Sequence, residues 1–358
     1  MKEKIEAVIR KSAGEHAPFD VFEPERKEFG HYSTNVALRL AKHLRKDPIK
    51  LAYDFVSKIR EHEPKNFFEK IEVVPPGFIN FWISPAALIS SFEWILKEKR
   101  NYGLLKSGKK RKVQIEFVSA NPTGPLTLAN GRGGFLGDVL SNVFARAGWD
   151  VEREYYVNDT GNQIITFGKS IAAAAGLRNP EKNFYEGEYV KAWAAAHKAI
   201  VRRFAAKPLE LGQAAAKEFL RGIKFALKHR ARIAINRWTS ENAIHKKKFA
   251  KKALAISVEK WLSYEKDGAV WLKTTEFGDD KDRVLLTRDG YPTYFLADAG
   301  HYLETKTRGF HKKILILGPD HYGYVKRIQA AAKIAGVADY VLIITQAVRL
   351  MRDGMEAT

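Results

Sequence analysis

The stretch Val113–Gln163 constrains the fold of this chain more than any other. Residues 113–119 (VQIEFVS) are rich in β-branched and aromatic side chains, which is typical of a strand. Residues 121–125 (NPTGP) end that strand with turn-forming residues, and a glycine-rich segment at 131–134 (GRGG) follows. The pattern predicts a strand that leads into a glycine-rich turn.

A helix is predicted directly after the glycines. Its apolar residues recur at helical spacing, and Gly148 stands where a C-terminal cap is expected. The residues that form this apolar face are Leu136, Leu140, Val143 and Ala147. Residues 151–157 then predict a second strand. Strand, helix and strand form a βαβ unit, in which the strands are parallel and the crossover is right-handed.

The N-terminus of such a helix binds anions, because its N–H groups are unpaired and glycine lets a ligand approach closely. A dinucleotide-binding half is the alternative, since Gly131-x-Gly133 with Glu152 or Glu154 about 20 residues further on mimics that fingerprint. However, the third glycine is Gly137, one position late, and eleven residues with two prolines separate strand and glycines. A dinucleotide turn is much tighter, so the sequence argues against that class.

Five motifs follow one another along the chain in a fixed order. They are Glu116–Leu126 (EFVSANPTGPL), Glu154–Gln163 (EYYVNDTGNQ), Asp279–Val284 (DDKDRV), Tyr294-Phe295-x-x-Asp298 and Gly318–His321 (GPDH). In this order they resemble the arginyl-tRNA synthetases, a family of class I synthetases, over nearly the whole chain. The resemblance implies an arginine–tRNA ligase that uses ATP with Mg²⁺ to form arginyl-adenylate. Its expected partners are L-arginine, ATP and tRNA(Arg).

The chain departs from the family at the centre of the resemblance. After Pro125-Leu126 the family has a His-x-Gly-His signature, whereas this chain has Thr127-Leu128-Ala129-Asn130. Thr127 offers one hydroxyl donor and Asn130 two amide donors, but neither can become cationic. Our hypothesis is that the site still works, with Asn130 and the nearby Arg132 replacing the histidines. The alternative is a catalytically silent, tRNA-binding relative.

The resemblance and the anion site together predict where nucleotide binds. The expected catalytic residues are Thr127, Asn130 and Arg132. The expected ATP-binding residues are Pro125, Leu126, Thr127, Ala129, Asn130, Gly131, Gly133, Asp320 and His321. Asp320 and His321 directly follow the apolar run Ile314–Leu317, which is typical of a central parallel strand. Ligands of open α/β sheets bind at the carboxyl ends of strands. The alternative for His321 is a surface histidine.

Arginine recognition requires acceptors, because a guanidinium has five N–H donors and no acceptor. The resemblance points to Asp298, with Tyr294 one helical turn earlier. The alternative for Asp298 is an ion pair with a nearby lysine. The expected arginine-binding residues are Ser119, Asn121, Glu154, Asn158, Tyr294 and Asp298, with Asn121 and Asn158 on the backbone ends of arginine and Glu154 as a second acid.

Net charge is the strongest compositional signal: 61 Lys and Arg residues against 41 Asp and Glu residues give +20. The basic residues cluster at Lys106–Lys112, at His245–Lys252, and at Arg202-Arg203 together with Lys228–Arg232. Such clusters are typical of a polyanion partner held through its phosphates. The alternative for any single run is a solvated helix face. Together the three groups favour nucleic acid.

The sequence predicts no protein-bound metal. There is no cysteine, and the ten histidines show no ligand-like spacing. Three aspartates at 279, 280 and 282 suggest a cation site, but Lys281 and Arg283 lie between and after them, which favours a structural ion-pair turn. The N-terminus is charged and no apolar run is long enough to cross a bilayer. We therefore expect a cytoplasmic protein, without membrane contact, and a monomer.

The expected fold is α/β: a Rossmann-type parallel-sheet catalytic domain with a helical insertion, preceded by a small α+β domain. Residues 1–105 form the predicted amino-terminal domain, which the resemblance implies contacts tRNA. Residues 106–358 form the predicted catalytic domain, with its insertion at about 185–290. Residues 348–354 resemble the strand and turn before the family's Lys-Met-Ser-Lys-type loop. We therefore expect the catalytic domain to be incomplete at its carboxyl end, and these 358 residues to be inactive by themselves.

Overall fold

The structure is a computed structural model that describes residues 1–337, 339–352 and 355–356. It contains two compact units, residues 1–103 and residues 104–358. Asp353 and Gly354, which complete the predicted turn before the synthetase loop, lie outside the described residues.

The first unit combines four helices with a four-stranded sheet. Its helices are α1 (Lys2–Ala13), α2 (Val36–Leu44), α3 (Pro48–His62) and α4 (Pro85–Glu98). Its strands are β1 (Val21–Phe22), β2 (Tyr32–Thr34), β3 (Phe68–Val74) and β4 (Phe78–Ile83), in the antiparallel order β1-β2-β4-β3. Helix α3 begins where the sequence dictates, since Asp47 Oδ1 accepts the Lys50 N–H at 2.9 Å and proline occupies the first helical position. The α+β prediction for this part of the chain agrees with these elements.

The second unit is built on a five-stranded parallel sheet. Its large helices and strands, in chain order, are β5 (Lys112–Glu116), α5 (Leu128–Arg146), β6 (Asp150–Val157), α6 (Gly161–Ala174), α7 (Glu188–Ala196), α8 (Lys198–Phe204), α9 (Pro208–Phe225), β7 (Arg237–Ser240), α10 (Glu241–Lys246), α11 (Phe249–Glu259), β8 (Ser263–Lys266), β9 (Ala269–Leu272), β10 (Arg283–Leu286), α12 (Tyr294–Thr307), β11 (Lys312–Leu317), α13 (Val325–Ile334) and β12 (Asp339–Ile344). The short strands β13 (Met351–Arg352) and β14 (Met355–Glu356) follow. The sheet order is β12-β11-β5-β6-β7, with every pair parallel. The predicted α/β class is confirmed.

The predicted βαβ unit is present, but its glycines are helical. Strands β5 and β6 pair in parallel, and α5 connects them. Because α5 already begins at Leu128, the segment 131–134 belongs to its first two turns, so the predicted glycine-rich turn is wrong. The anion-binding end of the helix therefore lies at Thr127, before the glycines.

The fully buried residues of α5 are small, and Leu140 of the predicted apolar stripe packs against the core beside them. Gly134, Gly137 and Ser141 are its buried residues, whereas the Val143 side chain is 58% exposed. A Cβ atom on Gly137 would lie only 2.2 Å from Cγ of Phe117. Glycine is thus required for the helix to pack this closely on the end of β5, which outweighs its poor helix propensity.

The range predicted as an insertion contains a strand of the main sheet. Helices α7–α9 supply the expected helical part, and β8–β10 form the expected small antiparallel sheet. Between them, however, β7 returns to the parallel sheet and pairs with β6 from Glu154↔Arg237 to Val157↔Ser240. The sequence did not reveal β7 because it is only four residues long and three of the four are polar. Its position matters, because the carboxyl end of β7 adds a further element to the ligand-binding edge.

Each unit has its own apolar core. One cluster of buried side chains, which includes Ile5, Phe55 and Phe81, lies wholly in the first unit. Three further clusters lie wholly in the second unit, around the two faces of the parallel sheet and among α6–α9. Among the described residues, no helix combines the length and apolarity needed to cross a bilayer.

Candidate active site

Two adjoining cavities open at the carboxyl ends of the parallel strands. We name the larger, of about 780 Å³, the α12 cavity, because Tyr294 and Asp298 of α12 line it. We name the other, of about 650 Å³, the α5 cavity, because Thr127 and Asn130 at the start of α5 line it. The residues that line both are Tyr156, Asn158, Asp298, Asp320, His321 and Ile328. Two substrates that occupied one cavity each would therefore meet at this shared wall.

Most of the predicted site residues lie on these two cavities. Those that line at least one of them are Ser119, Asn121, Pro125, Thr127, Ala129, Asn130, Gly133, Asn158, Tyr294, Asp298, Asp320 and His321. Leu126, Gly131, Arg132 and Glu154 line neither cavity. Leu126 packs instead against the apolar core beside the sheet. The structure therefore does not bring Leu126 and Gly131 to either cavity.

Asp298 is the dominant feature of the α12 cavity. It lies one turn into α12, whose first turn is fixed by Thr293 Oγ1, the acceptor of the Leu296 N–H. The carboxylate is open to the cavity. Within the described part of the chain no side chain donates a hydrogen bond to it and no cation pairs with it. The lysine ion pair that was the alternative for Asp298 is therefore absent from the described structure.

The electrostatic surroundings of Asp298 disfavour its charge. Protein atoms around the cavity floor reduce its solvation, and Glu116 and Glu241 add negative potential, so that the pKa of Asp298 is raised to about 7. Lys313 opposes this shift without cancelling it. A cation that entered the cavity could pair with the Asp298 carboxylate, which is open to the cavity and has no cationic partner among the described residues.

The second carboxylate of the α12 cavity is Glu241, not Glu154. Glu241 is the first residue of α10, directly after β7, and is only 7% exposed. Burial raises its pKa, although His245 Nε2, at 3.5 Å from Oε1, opposes the shift. Sequence reasoning missed Glu241 because it depends on β7, which places the start of α10 at the cavity.

Glu154 is buried in a polar network beneath the cavity, so the prediction that it contacts arginine is wrong. It is fully buried, accepts a hydrogen bond from Thr239, and lies 3.3 Å from Arg308 Nη2 and 3.4 Å from Lys313 Nζ. Its oxygens are thus already paired with the protein. The residue secures β6 to its neighbours and does not reach the ligand.

Lys313 lies at the centre of this network, fully buried on β11. Its Nζ is 2.6 Å from Gln114 Oε1, 2.8 Å from Glu116 Oε2 and 3.1 Å from His301 Nε2. Burial alone would raise the pKa of Glu116, but Lys313 and the hydrogen bond from His301 lower it below its usual range. Since His301 belongs to α12, the network connects three strands of the sheet to the helix that carries Asp298.

Among the residues that the structure describes, one group of side chains has spacing suited to a metal ion: Glu116, Glu154 and His301. The Lys313 ammonium lies within 3.4 Å of all three. A cation therefore already balances the two carboxylates, and a metal ion would have to displace it against charge repulsion. The chemistry of this cluster does not fit a metal site.

Asparagines and a strained turn form the shared wall. Asn158 Nδ2 donates to Asn121 Oδ1 at 2.5 Å, which connects the ends of β5 and β6. Val118 and Ser119 both have positive φ, of 68° and 38°, an unfavourable conformation for residues with a Cβ atom. The turn is stabilised by the Tyr156 N–H, which donates to Ser119 Oγ at 3.0 Å. Strain of this kind is typical of functional sites.

Thr127 and Asn130 form a capping pair at the start of α5. The Thr127 N–H donates to Asn130 Oδ1 at 2.8 Å, and its hydroxyl donates to the same atom at 2.9 Å. The backbone donor fixes Oδ1 as the acceptor, so the Asn130 amide nitrogen keeps both of its N–H donors. Of the two residues, Asn130 is therefore the one with free donors at the α5 cavity.

Arg132 lies beside the α5 cavity without lining it. Its guanidinium donates to the Ala347 carbonyl at 3.5 Å and to Gln346 Oε1 at 3.4 Å. Gln346 itself lines the cavity. In this conformation the Arg132 side chain does not reach the cavity, and its contacts hold the segment after β12 against α5.

The aspartates at 279–282 form the predicted ion-pair turn. Asp279 accepts from Arg283 Nε at 2.8 Å, and Asp280 accepts from the same guanidinium. The hydrogen bonds from Arg283 lower the pKa of Asp279 well below its usual range. Asp282 accepts the Thr275 hydroxyl at 2.7 Å. Because Arg283 lines the α12 cavity, the turn also positions a cationic side chain there.

The site consists of cavities at the carboxyl edge of a parallel sheet. The turn that carries Asn121 and the N-terminus of α5 line one of these cavities. Residues 91–351 match the family described as "tRNA synthetases class I (R), catalytic domain", and residues 1–83 match the "Arginyl tRNA synthetase N terminal domain". The fold and site are therefore those of a class I aminoacyl-tRNA synthetase.

Individual relatives agree with these families. The chain is 37% identical to the arginine–tRNA ligase of Thermotoga maritima over 99% of its own length and 66% of that protein. It is 38% identical to the arginine–tRNA ligase of Oceanobacillus iheyensis, over 92% and 61% of the two chains. The chain belongs to the arginyl-tRNA synthetase family, and spans less than two thirds of the length of these relatives.

Solved structures give the same result. A Campylobacter jejuni structure titled as an arginyl-tRNA synthetase is 32% identical and superimposes with a TM-score of 0.68, over 76% of this chain and 62% of that one. The Thermus thermophilus arginyl-tRNA synthetase superimposes with a TM-score of 0.69 over 97% of this chain and 66% of that one, at 20% identity. The second likeness concerns the fold alone.

Proposed function

We propose that this protein is an arginine–tRNA ligase, which activates L-arginine with ATP and transfers it to tRNA(Arg). The observation that carries the proposal is Asp298: an open carboxylate without a partner cation among the described residues, on the floor of a cavity that adjoins an anion site. An unpaired carboxylate in a partly desolvated cavity costs folding free energy that a bound guanidinium recovers.

The α12 cavity suits the arginine side chain. Asp298 accepts two of the five guanidinium donors, and the buried Glu241 supplies a second acceptor in the same cavity. Tyr294, one helical turn before Asp298, lines the same wall. Bidentate carboxylate–guanidinium pairing selects arginine over lysine, because an ammonium cannot match its planar geometry.

The α5 cavity suits ATP with its Mg²⁺, which we assign to the nucleotide and not to a protein site. The Asn130 amide donors and the N-terminus of α5 face the phosphates. Where the cavities meet, beside Asn158, the arginine carboxylate attacks the α-phosphorus and pyrophosphate leaves. Donors fixed before the reaction stabilise the charge that develops on the phosphate oxygens.

Calorimetry on the purified 358-residue chain tests the assignment of Asp298. Asp298→Asn should weaken arginine binding by about 2–5 kcal/mol, the range for removing one partner of a buried charge pair, while ATP affinity stays the same. Asp289→Asn, on an exposed turn outside both cavities, serves as the matched control. Arginine affinity of Asp298→Asn within twofold of the parent would refute the assignment.

Amino-acid-dependent ATP–pyrophosphate exchange tests the reaction. Arginine alone among the amino acids should support exchange in a chain that also carries the Lys-Met-Ser-Lys-type loop which the resemblance implies. The family assignment also leads us to propose a monomer in the cytoplasm, which light scattering and cell fractionation examine. Absence of arginine-dependent exchange in that longer chain, with RNA binding retained, would replace the proposal by a silent tRNA-binding protein.

A further inference from the structure

Tyr189 reaches the α5 cavity from outside the parallel sheet. It is the second residue of α7, in the helical part of the insertion, and it lines this cavity together with Gly124, Thr127 and Asn130. No other described residue of α7–α9 lines the α5 cavity. The residues assigned to ATP and to arginine all lie outside these three helices, so the role of Tyr189 is open.

Close packing holds the Tyr189 ring in place. A Cβ atom on Gly187 would lie 2.3 Å from Tyr189 Cε1, and one on Gly124 would lie 3.0 Å from both Cζ and the hydroxyl oxygen of the same ring. The Phe219 ring of α9 contacts it edge to face, with the ring centroids 5.6 Å apart. Glycine is therefore needed on two sides for the ring to fit, and these contacts leave it little freedom to move.

Packing accounts for the ring of Tyr189 but not for its hydroxyl. The ring packs against the apolar cluster of the insertion, whereas the hydroxyl oxygen lies at Gly124, in the turn that lines the cavity. Among the described residues, none exchanges a hydrogen bond with this hydroxyl. Phenylalanine would fill the same space, so the polar atom indicates a partner that the protein itself does not provide.

The Tyr189 hydroxyl is a hydrogen-bond donor at neutral pH. Burial raises the pKa of Tyr189 above its ordinary value of 10.0, and the neighbouring Tyr185 adds to the shift. A protonated phenol donates one hydrogen bond and carries no charge that an anion would repel. Its bond to an ionised oxygen is stronger than a bond between two neutral groups.

The position of the hydroxyl favours a phosphate as the acceptor. Gly124 precedes Thr127, the N-cap of α5, by three residues, so the two lie no more than roughly 11 Å apart. The N-terminus of a helix attracts anions. Neither Thr127 nor Asn130 can become cationic, so a further donor at this end of the cavity would strengthen the binding of a phosphate group.

We propose that the Tyr189 hydroxyl donates a hydrogen bond to a phosphate oxygen of ATP bound in the α5 cavity. The inference rests on the proposed function, which assigns ATP to this cavity. Tyr189 is then a substrate-binding residue that the helical insertion supplies to the nucleotide site. Because the ring is packed between two glycines, the donor is fixed before the nucleotide binds and loses little side-chain entropy on binding.

Calorimetry of the 358-residue chain in the presence of Mg²⁺ compares Tyr189→Phe with Tyr185→Phe. Each substitution removes one hydroxyl and keeps the ring. Tyr185 is the matched control: it packs against the same apolar cluster, it lines neither cavity, and its hydroxyl has no hydrogen-bond partner in the described part of the chain. ATP and adenosine are the two ligands, since adenosine lacks the phosphates.

Tyr189→Phe should weaken ATP binding by about 10- to 100-fold, the range for one hydrogen bond to a charged group. The same variant should bind adenosine within about twofold of the parent, because the phosphates are missing. Tyr185→Phe should bind both ligands as the parent does. The thermal midpoints of the two variants should equal that of the parent, because neither substitution removes a hydrogen bond within the protein.

Parental ATP affinity in Tyr189→Phe, equal losses in the two variants, or an equal loss for adenosine would overturn the inference. Arginine calorimetry on the same preparations keeps the two proposals apart. A parent that binds no arginine, but whose ATP binding depends on Tyr189, refutes the proposed ligase and leaves the nucleotide contact in place. A parent that binds arginine but no ATP refutes the inference and leaves the arginine site in place.

Discussion

The Asp298 carboxylate lines the cavity, and its surroundings disfavour its ionised form. Arginine binding should therefore depend on pH. Its pKa is raised from 3.8 to about 7, first by desolvation and then by Glu116 and Glu241. A guanidinium pairs with the ionised carboxylate, so protonation below pH 7 competes with arginine. For a pKa of about 7, the ionised fraction rises about tenfold between pH 6 and pH 8.

We therefore expect arginine affinity to rise about tenfold from pH 6 to pH 8, with release of nearly one proton at pH 6. Calorimetry in buffers with different ionisation enthalpies measures both quantities. Asp298→Asn should abolish the pH dependence over this range. An unchanged dependence in that variant would mean that another group, such as Glu241, titrates instead.

The raised pKa of Asp298 has the opposite effect on the stability of the ligand-free protein: this stability falls as pH rises. The folded state binds the Asp298 proton more tightly than the unfolded state, whose value is near 3.8. Stability contributed at this residue is therefore present below pH 4 and is lost as pH rises through 7. The side chain is open to the cavity, so solvent reduces the size of this effect, which bound arginine reverses.

Asn130 and Arg132 are distinguished by their hydrogen bonds, although the altered signature suggested them equally. Asn130→Ala removes two free amide donors at the α5 cavity and should slow adenylate formation by about 10²–10³, the usual loss for one transition-state donor. Arg132→Ala removes contacts to Gln346 and Ala347 and should act by less than tenfold. Single-turnover pyrophosphate release measures both rates. A larger loss in Arg132→Ala would show that Arg132 turns into the cavity during the reaction.

At the scale of elements, the buried network around Lys313 fixes α12 on the sheet. Lys313 on β11 contacts Gln114 and Glu116 on β5, Glu154 on β6, and His301 on α12. The alignment of Asp298 with the cavity depends on the orientation of α12, and His301 lies three residues further along this helix. The network should therefore affect arginine binding by fixing the position of α12.

Lys313→Met should reduce the free energy of unfolding by about 3–5 kcal/mol, because Glu116 remains buried without its lysine and Glu154 keeps only Arg308. Lys313→Met combined with Glu116→Gln leaves one uncompensated carboxylate fewer and should recover part of the loss. Urea denaturation measures both variants. Equal stability of the single and the double variant would show that Glu116 gains solvent or another partner when the lysine is removed.

Elements with strong periodicity were predictable, and those that depend on packing were not. The apolar runs of β11 and β12 and the motifs around β6 and α12 led to the correct sheet and to most of the cavity wall. The glycines of α5 resemble a turn because glycine disfavours helix interiors, but close packing of Gly137 on Phe117 makes them helical. The four residues of β7 carry too little pattern to identify a strand, and Glu241 was missed with it.

The sequence also did not predict which charged side chains are buried. Glu154 follows Glu152 and Arg153 in β6, and Lys313 follows Lys312 at the start of β11. The sequence does not show which of these charged side chains faces a ligand and which faces the interior. Only the assembled sheet shows that the two side chains meet, 3.4 Å apart, beneath the cavity. The tertiary neighbours of a charged residue decide whether it binds substrate or stabilises the fold, and a single sequence does not contain them.

For the whole molecule, the separation of the cores has a thermodynamic consequence. The core cluster around Phe81 contains only residues of the unit 1–103, whereas all the residues that line the two cavities belong to the unit 104–358. A ligand that binds only the folded form of one unit stabilises that unit by RT ln(1 + [L]/Kd), about 2.7 kcal/mol at 100 times the Kd.

Differential scanning calorimetry of the 358-residue chain should therefore show two transitions that respond differently to ligand. Arginine at 100 times its Kd should raise the midpoint of the transition of residues 104–358 by about 5–10 °C, from roughly 2–4 °C per kcal/mol for a unit of this size. The transition of residues 1–103 should stay in place. Asp298→Asn at the same arginine concentration is the control, since the shift should largely disappear while the ligand-independent transition is unchanged. A single transition that moves as a whole with arginine would show that the two units unfold cooperatively despite their separate cores.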